Sequence, residues 1–404
     1  MARPVADHLS PSEANTWRAT LSGLCASLVS IGMARFAYTP LLPAIIGAGW
    51  FGAASAAYLG AANLAGYLVG ALLAGPAAAL VPARLLLRGA MLAASASFFA
   101  CAWPEGFTWF FGWRFVSGIA GGVAMVLAAP TILPHVAPSR RGLVSGAIFM
   151  GVGFGIAASG TLVPLLLRQG LQQAWLGLGA VALALTFVGW NGWPEQGRSQ
   201  PKVAPKLRPG DTRQLRVLYA VYGLNAFGLV PHMVFLVDYV ARGLGQGLDA
   251  GAGYWVLFGL GAVVGPLIAG HLADRIGFRS TLRLVVLVEA VAVGLPALNH
   301  GSAGLMISSL VVGASTPGVV PLALGRTHEI LHHHQEAQKG AWRAATTSFA
   351  VMQALGAYGL SFLFARTGGD YGLLFGLGAG ALVLALAIDL LVPSPAPAVP
   401  ENRA

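Results

Sequence analysis

The residues best suited to chemistry are polar side chains that interrupt long apolar runs. Arg35 and Tyr38 lie three positions apart in the apolar run from Leu21 to Ile46. That spacing puts both on one face of a helix, together with Gly32. A guanidinium at membrane depth costs roughly 3 kcal/mol on insertion scales. The folded protein must therefore compensate for the charge of Arg35.

Other polar residues in apolar runs could also contact a ligand. Asn63 and Tyr67 are four apart and share a helix face, and Asn225 and His232 lie in a later run. Each could equally make an interhelical hydrogen bond. His232 titrates near neutrality and so could carry a coupled proton. Asp238, further along the same run, is expected at the membrane interface.

Glu289 is the most isolated carboxyl in the sequence, near the centre of an apolar run. Burial without a partner keeps a carboxyl neutral, which is the state that a proton carrier needs in one half of its cycle. The alternative is a structural glutamate bonded to a neighbouring helix. The sequence is consistent with both interpretations of Glu289.

No pattern in the sequence indicates chemistry on a bound substrate. The histidine-rich segment from His328 to His334 has adjacent histidines that point in different directions and no supporting cysteine, so a solvated loop or surface helix is the simpler interpretation than a metal site. Phosphate loops, nucleophile triads and paired catalytic carboxylates do not occur. The sequence therefore predicts no enzyme, no cofactor and no metal.

The elements that must hold these residues are membrane helices. Of the 404 residues, 56% are hydrophobic and 9% are charged, which excludes an ordinary soluble domain. About 20 apolar residues cross a bilayer as a helix. Runs of this kind are predicted near 17–46, 53–79, 83–102, 107–132, 141–167, 172–193, 214–240, 252–273, 281–299, 302–325, 342–365 and 371–393.

The distribution of positive charge predicts the orientation. Apart from Arg35 and Arg114, the basic residues fall in the connections and tails, and only Arg168, Arg242 and Arg366 are on the side away from the termini. The protein is therefore expected in a bacterial inner membrane, with both termini in the cytoplasm. The net charge of +10 reflects this topology, so no nucleic-acid partner is predicted.

A polar, proline-containing linker divides the chain into two similar halves. The predicted segments are a cytoplasmic tail at 1–16, a six-helix bundle at 17–194, the linker at 195–213, a second six-helix bundle at 214–393 and a cytoplasmic tail at 394–404. Gly32, Phe36 and Pro40 recur at an offset of 191 as Gly223, Phe227 and Pro231, and Gly66, Gly70 and Gly75 recur at an offset of 195 as Gly261, Gly265 and Gly270.

This duplication is typical of transporters that bind substrate near the midplane between their halves. The alternative is coincidence among 55 glycines. The position that matches Arg35 in the second half is Ala226. The surrounding glycine, phenylalanine and proline are thus repeated in the second half, but the arginine is not. This difference indicates that Arg35 is a substrate or coupling residue rather than part of the scaffold.

The loop from Gly270 to Arg279 resembles the signature loop of the major facilitator superfamily. The glycine allows two helices to approach closely, and the charged residues can pair with each other and with neighbouring helix ends to hold a cytoplasmic gate. The equivalent loop in the first half departs from the pattern, with Ala79 and Leu80 where Asp and Arg would stand. The residues that match the family positions are Gly270, Asp274, Arg275, Gly277 and Arg279.

Two further stretches resemble motifs of the same superfamily. Arg114 begins a segment like its arginine-plus-glycine motif in helix 4, where the arginine is proposed to assist proton coupling; Ser117 stands where glutamine is frequent. The helix-5 glycines resemble the antiporter motif of drug exporters, although Ile156 replaces a proline. This pattern favours export, and its alternative is close helix packing. The glycines concerned are Gly142, Gly151, Gly155 and Gly160.

The segments 35–43, 58–67 and 354–358 are similar to bacterial YbfB/YjiJ-type transporters, and the resemblance covers nearly the whole chain. In the superfamily, helices 1, 4, 7 and 10 line a central cavity, which implies that Arg35 and Arg114 lie together. Two guanidinium groups suit a carboxylate or phosphate. Alternatively, either arginine reaches lipid headgroups or water near a helix end.

We therefore predict an all-α membrane protein with twelve transmembrane helices in two six-helix bundles. It is expected to transport a small, anionic organic solute by alternating access, with protons as coupling ions and the lipid bilayer as its surroundings, as a monomer. The alternative is a polytopic sensor or assembly factor without transport. The substrate-binding candidates are Arg35, Tyr38, Asn63, Tyr67, Arg114, Asn225 and His232, and the proton-coupling candidates are Arg114, His232 and Glu289.

Overall fold

The computed structural model describes residues 11–137, 140–194, 207–298 and 301–391, and in these residues the regular elements are all helical. Twelve of the helices are long and apolar enough to cross a membrane, as predicted. They are α1 Asn15–Gly47, α2 Ala53–Leu80, α3 Ala83–Ala100, α4 Phe107–His135, α5 Val144–Leu167, α6 Leu171–Val188, α7 Pro209–Gly243, α8 Leu248–Ile276, α9 Phe278–Leu298, α10 Ser302–Ile330, α11 Gly340–Arg366 and α12 Tyr371–Leu391.

Most of the predicted linker, most of the predicted N-terminal tail and all of the predicted C-terminal tail lie outside the described residues. Where the linker is described, α7 begins at Pro209 instead of residue 214. Proline suits the first turn of a helix because it lacks only an N–H that would have no intrahelical acceptor. The polar residues that follow Pro209 therefore extend α7 rather than the linker.

The helices pack in two sets of six with the same neighbours in each set. In the first set, α2 packs along α4, α1 along α5 and α3 along α6. In the second set, α8 packs along α10, α7 along α11 and α9 along α12. We call the first set the N-half and the second set the C-half. They meet along α2 and α11, along α5 and α8, and where the end of α1 meets α7.

The repeated glycines explain why these neighbours recur. A Cβ on Gly66 would overlap the backbone carbonyl of Phe115 in α4, and a Cβ on Gly261 would overlap the carbonyl of Leu310 in α10. Only glycine allows the two backbones to approach this closely. Equivalent glycines thus make equivalent contacts, which supports an internal duplication over coincidence.

Both α1 and α7 contain π-helical segments, in which the hydrogen bonds run from residue i to residue i+5. One is Leu28–Met33 in α1, and the others are Pro231–Phe235 and Tyr239–Gly243 in α7. Such segments are uncommon and occur frequently at functional sites.

We call the face where α1 begins and α12 ends the terminal face, and the other the opposite face. The segments in α7 lie toward the opposite face.

Candidate functional site

A small pocket lies between α1, α2, α4 and α7, in the part of the bundle nearer the opposite face. Its volume of about 10 Å³ has room for about one water molecule. Four of the predicted substrate-binding residues line this pocket together. The polar or sulfur-containing side chains in its wall are Arg35, Tyr38, Thr39, Asn63, Arg114 and Met233.

Arg114 enters the pocket from α4 and is buried, with 3% of its surface exposed. Its Nη1 donates a hydrogen bond of 2.7 Å to the carbonyl of Ala34, which directly follows the π-helical segment of α1. Its Cζ lies 4.4 Å from the centre of the Tyr38 ring. A guanidinium over an aromatic face is stabilised by the ring quadrupole. The Nε of Arg114 has no hydrogen-bond partner among the residues that the structure describes.

Arg35 reaches the same pocket from α1 and is compensated in a similar way. Its Cζ lies 5.1 Å from the centre of the Tyr67 ring and 5.2 Å from that of the Phe36 ring. Its Nη2 points at the thioether sulfur of Met233 at 3.7 Å, and its Nε has no partner. A thioether is only a weak acceptor. Tyr67 thus joins the site by its ring, although it does not line the pocket.

Neither arginine has an acidic partner. Among the residues that the structure describes, the ion pairs of the C-half involve other arginines, and none reaches Arg35 or Arg114. A carbonyl, aromatic rings and a thioether offset the two charges only partly. The pocket therefore carries positive charge that an anion can neutralise.

Asn63 and Tyr38 fasten the helices around the pocket. The Asn63 Nδ2 donates to the Ser117 hydroxyl at 2.8 Å and to the Arg114 carbonyl at 3.3 Å. The Tyr38 hydroxyl donates to the Ala56 carbonyl at 2.7 Å. The Oδ1 of Asn63 has no partner and is free to accept a hydrogen bond. These two candidates thus position α1, α2 and α4 as well as face the pocket.

The other candidates lie inside the C-half, away from this pocket. The Asn225 Nδ2 donates to the Glu289 Oε2 at 2.5 Å, which joins α7 to α9. The His232 Nε2 lies 2.7 Å from the Ser308 hydroxyl on α10. The side chains of these three candidates, Asn225, His232 and Glu289, are fully buried. Glu289 is thus bonded to a neighbouring helix, and its Oε1 has no partner among the described residues.

Asp238 lies near the opposite-face end of α7, and its place at a membrane interface stays a prediction. Its side chain is 1% exposed, and it accepts hydrogen bonds from Arg242 at 2.5 and 2.7 Å and from the Tyr371 hydroxyl at 2.6 Å. The partners compensate for its burial. The carboxyl therefore links the opposite-face end of α7 to the start of α12.

The signature loop is held by its last arginine. Gly277 ends α8 with a φ of +82°, a conformation that favours glycine. Arg279 and Arg283 both pair with Asp389 at the end of α12, with Nε to Oδ2 distances of 3.5 and 2.5 Å. These bonds attach the loop to a neighbouring helix end, as the sequence analysis expected for the charged residues.

The other signature residues do not make the predicted contacts. A Cβ on Gly270 would meet no atom within 4 Å, so this glycine does not mark a close helix contact. Asp274 and Arg275 are exposed. They form no ion pair within the described part of the chain. The interpretation of Gly270 as a packing residue is therefore wrong for this conformation.

The helix-5 glycines are packing residues. A Cβ on Gly151 would overlap the carbonyl of Leu24 in α1, and a Cβ on Gly155 would lie 2.6 Å from the Cα of Gly32. Gly160 packs in the same way against Val256 in α8. The alternative that the sequence analysis kept for these glycines, close helix packing, thus accounts for these three.

Three residues of the site are not predicted by the sequence. The Thr39 hydroxyl donates to the Met233 carbonyl and so joins α1 to α7. Gln353 on α11 donates from Nε2 to the Met233 sulfur at 3.4 Å. A threonine and a methionine in apolar runs are unremarkable, and only the meeting of the two halves reveals them. A buried glutamine in a membrane helix is a signal that could have been used.

Comparison with known proteins agrees with this architecture. Residues 27–390 match the family described as "Uncharacterised MFS-type transporter YbfB". The gallate transporter of Pseudomonas putida is 26% identical over 297 residues, which cover 64% of this chain and 65% of that protein. The match thus spans slightly less than two thirds of the relative's length. This chain is a multi-pass membrane protein and belongs to the YbfB family of MFS-type transporters.

Proposed function

We propose that this protein is a secondary transporter that moves a small organic anion across the membrane by alternating access. The observation that carries the proposal is the pair of guanidinium groups of the half-buried Arg35 and the buried Arg114, neither of which has an acidic partner among the described residues. A carboxylate between them would accept charge-assisted hydrogen bonds and neutralise the pocket. The Nε atoms of both arginines are available for this.

Aromatic carboxylates are the class of anion that we favour. The rings of Tyr38 and Tyr67 lie beside the guanidinium groups and offer faces against which a planar substrate can pack. A similar protein is named a gallate transporter, and gallate is a trihydroxybenzoate. Gallate is therefore the first compound to test.

Binding requires the pocket to widen. Ligand pockets typically measure about 300–1,000 Å³, whereas this one measures about 10 Å³. The Thr39 bond to Met233 closes the pocket between α1 and α7. We propose that these two helices separate during the transport cycle while each half keeps its internal packing.

We propose protons as the coupling ions, with three candidate sites. Glu289 is supported by its full burial and by its partnerless Oε1, because a buried carboxyl can hold a proton and remain neutral. His232 is supported by its buried ring, whose Nδ1 has no partner. Arg114 is supported by its place in the substrate pocket.

The remaining parts of the proposal concern orientation and direction. We propose a monomer in the bacterial inner membrane with both termini in the cytoplasm, because the basic residues gather on the terminal face. For direction we propose export, because the spacing of the helix-5 glycines resembles the antiporter motif of drug exporters, although three of these glycines also pack against neighbouring helices. Reconstituted protein with gallate supplied on one side or the other measures this direction.

The test is gallate flux in proteoliposomes with and without an imposed pH gradient. The wild-type protein is expected to carry gallate faster than empty vesicles, and the gradient is expected to change that rate. Arg35→Ala is expected to abolish the flux, whereas Arg168→Ala, an exposed arginine, keeps it. Full flux in Arg35→Ala would overturn the anion site, and gallate binding without any flux would indicate a sensor instead.

A further inference from the structure

Met233 occupies an unusual position between the two halves. Its sulfur lies 3.7 Å from the Arg35 Nη2 of the N-half and 3.4 Å from the Gln353 Nε2 of the C-half. Both donors are strong, and a thioether is a weak acceptor. Two good hydrogen-bond donors therefore point at one atom that satisfies neither well.

Gln353 is also incompletely satisfied on its acceptor side. The residue is 1% exposed, and its Oε1 has no hydrogen-bond partner in the described residues. Buried amide oxygens are nearly always paired. Gln353 thus shares two properties with Arg35: a buried polar atom without a hydrogen-bond partner in the described part of the chain, and contact with the sulfur of Met233.

Methionine is suited to move out of such a position. Its side chain has three rotatable bonds and no branch, so it adapts to different surroundings at low cost. If the sulfur moves aside, the amide of Gln353 and the guanidinium of Arg35 face each other across the junction of the halves. A ligand that carries a carboxylate at one end and a hydroxyl group at the other fits these two groups.

We propose that Gln353 is the specificity-determining residue of the C-half, that it binds a hydroxyl group of the substrate, and that Met233 takes the place of that substrate when none is bound. The inference rests on the proposed function, since it needs the carboxylate to bind at the arginines. The hydroxyl donates to the Oε1 and accepts from the Nε2. The substrate class is then a hydroxylated aromatic carboxylate.

The experiment compares two ligands that differ in their hydroxyl groups, gallate and benzoate. Dissociation constants are measured on the purified full-length protein for the wild type, Gln353→Met and Gln353→Asn. We expect the wild type to bind gallate at least about 10-fold more tightly than benzoate, because a buried amide rejects a ligand that leaves it unpaired. In both variants gallate affinity falls about 10-fold, and benzoate affinity stays within about 2-fold.

Ser361→Ala is the matched control, because Ser361 lies on the same helix, is fully buried and also has no partner for its hydroxyl. It is expected to leave the preference for gallate unchanged. Equal binding of gallate and benzoate by the wild type, or equal losses for both ligands in the variants, would overturn the role of Gln353 alone. Binding of neither ligand by the wild type would instead overturn the proposed function.

Discussion

The two halves of the molecule share one frame and differ in what they bury. Gly66 in the N-half lies against the backbone of α4, and Gly261 in the C-half lies against the backbone of α10 in the same way. Within the described residues, however, the N-half buries Arg114 without an acidic partner, while the C-half buries Glu289 without a basic partner. Duplication thus explains the packing, and the polar differences indicate where the halves divide their tasks.

The difference is sharpest at two adjacent positions. Arg35 in α1 corresponds to Ala226 in α7, and Asn225 in α7 corresponds to Ala34 in α1. Ala34 contributes its carbonyl to Arg114, whereas Asn225 contributes its amide to Glu289. The same place in the frame therefore organises a cationic pocket in one half and a buried carboxyl in the other.

The largest expected effect comes from the arginines of the N-half. Arg35→Ala and Arg114→Ala should each weaken gallate binding about 10- to 100-fold, because a hydrogen bond to a charged group contributes about 1.5–3 kcal/mol. Asn225→Ala, a buried polar change in the C-half, should leave affinity within about 2-fold. Calorimetric titration of the purified variants measures these values. Equal losses in all three would contradict a division between the halves.

The shared frame can be tested through its glycines. Gly66→Ala and Gly261→Ala should each destabilise the protein by about 1–3 kcal/mol, because the added methyl meets a backbone carbonyl that cannot move aside. Gly270→Ala is the matched control, since no atom lies within 4 Å of its added Cβ. Thermal unfolding in detergent reports the change. A marked difference between Gly66→Ala and Gly261→Ala would break the equivalence.

A change in coupling is expected from the carboxyl of the C-half. Glu289→Gln imitates the protonated form permanently, so an imposed pH gradient should no longer change the gallate flux, while gallate exchange at equal pH should continue. His232→Gln is the companion variant. If Glu289→Gln keeps the full response and His232→Gln loses it, the proton site is the histidine. Flux in proteoliposomes distinguishes the two.

The smallest effect is expected at the opposite-face end of the C-half. Tyr371→Phe removes one of the hydrogen bonds that Asp238 accepts and should cost about 1 kcal/mol, because the bonds from Arg242 remain. Tyr254→Phe serves as the control, since no partner of its hydroxyl occurs in the described part of the chain. The midpoint of thermal unfolding is the readout. No difference between the two variants would remove Tyr371 from the cluster.

The sequence predicts most of the fold because hydropathy and helix length are local properties. The twelve spans follow from apolar runs, and the glycine repeat marks the helix pairs that touch. Polar residues in apolar runs also identify Arg35 and Arg114, because charge in a membrane helix is costly wherever the helix packs. Their roles as substrate residues stay predictions.

The rest depends on contacts that no local pattern encodes. Met233 gains its importance only from its approach to Arg35 and Gln353 across the two halves. The position of Asp238 near the end of a span predicts an interfacial residue, but no local pattern predicts the partners on α7 and α12 that bury its side chain. Gly270 fits a family motif by position and yet has no close neighbour.

The π-helical segments of α7 are related to a difference in length between the C-half and the N-half. The offset between matching residues grows from 191 at Pro40 and Pro231 to 195 at Gly66 and Gly261, so the C-half has four additional residues between these points. A helix absorbs an inserted residue by widening one turn, and both π-helical segments of α7 fall within this interval. They contain Met233 and adjoin Asp238. Two widened turns account for two of the four additional residues, so part of the length difference between the halves lies inside a membrane helix.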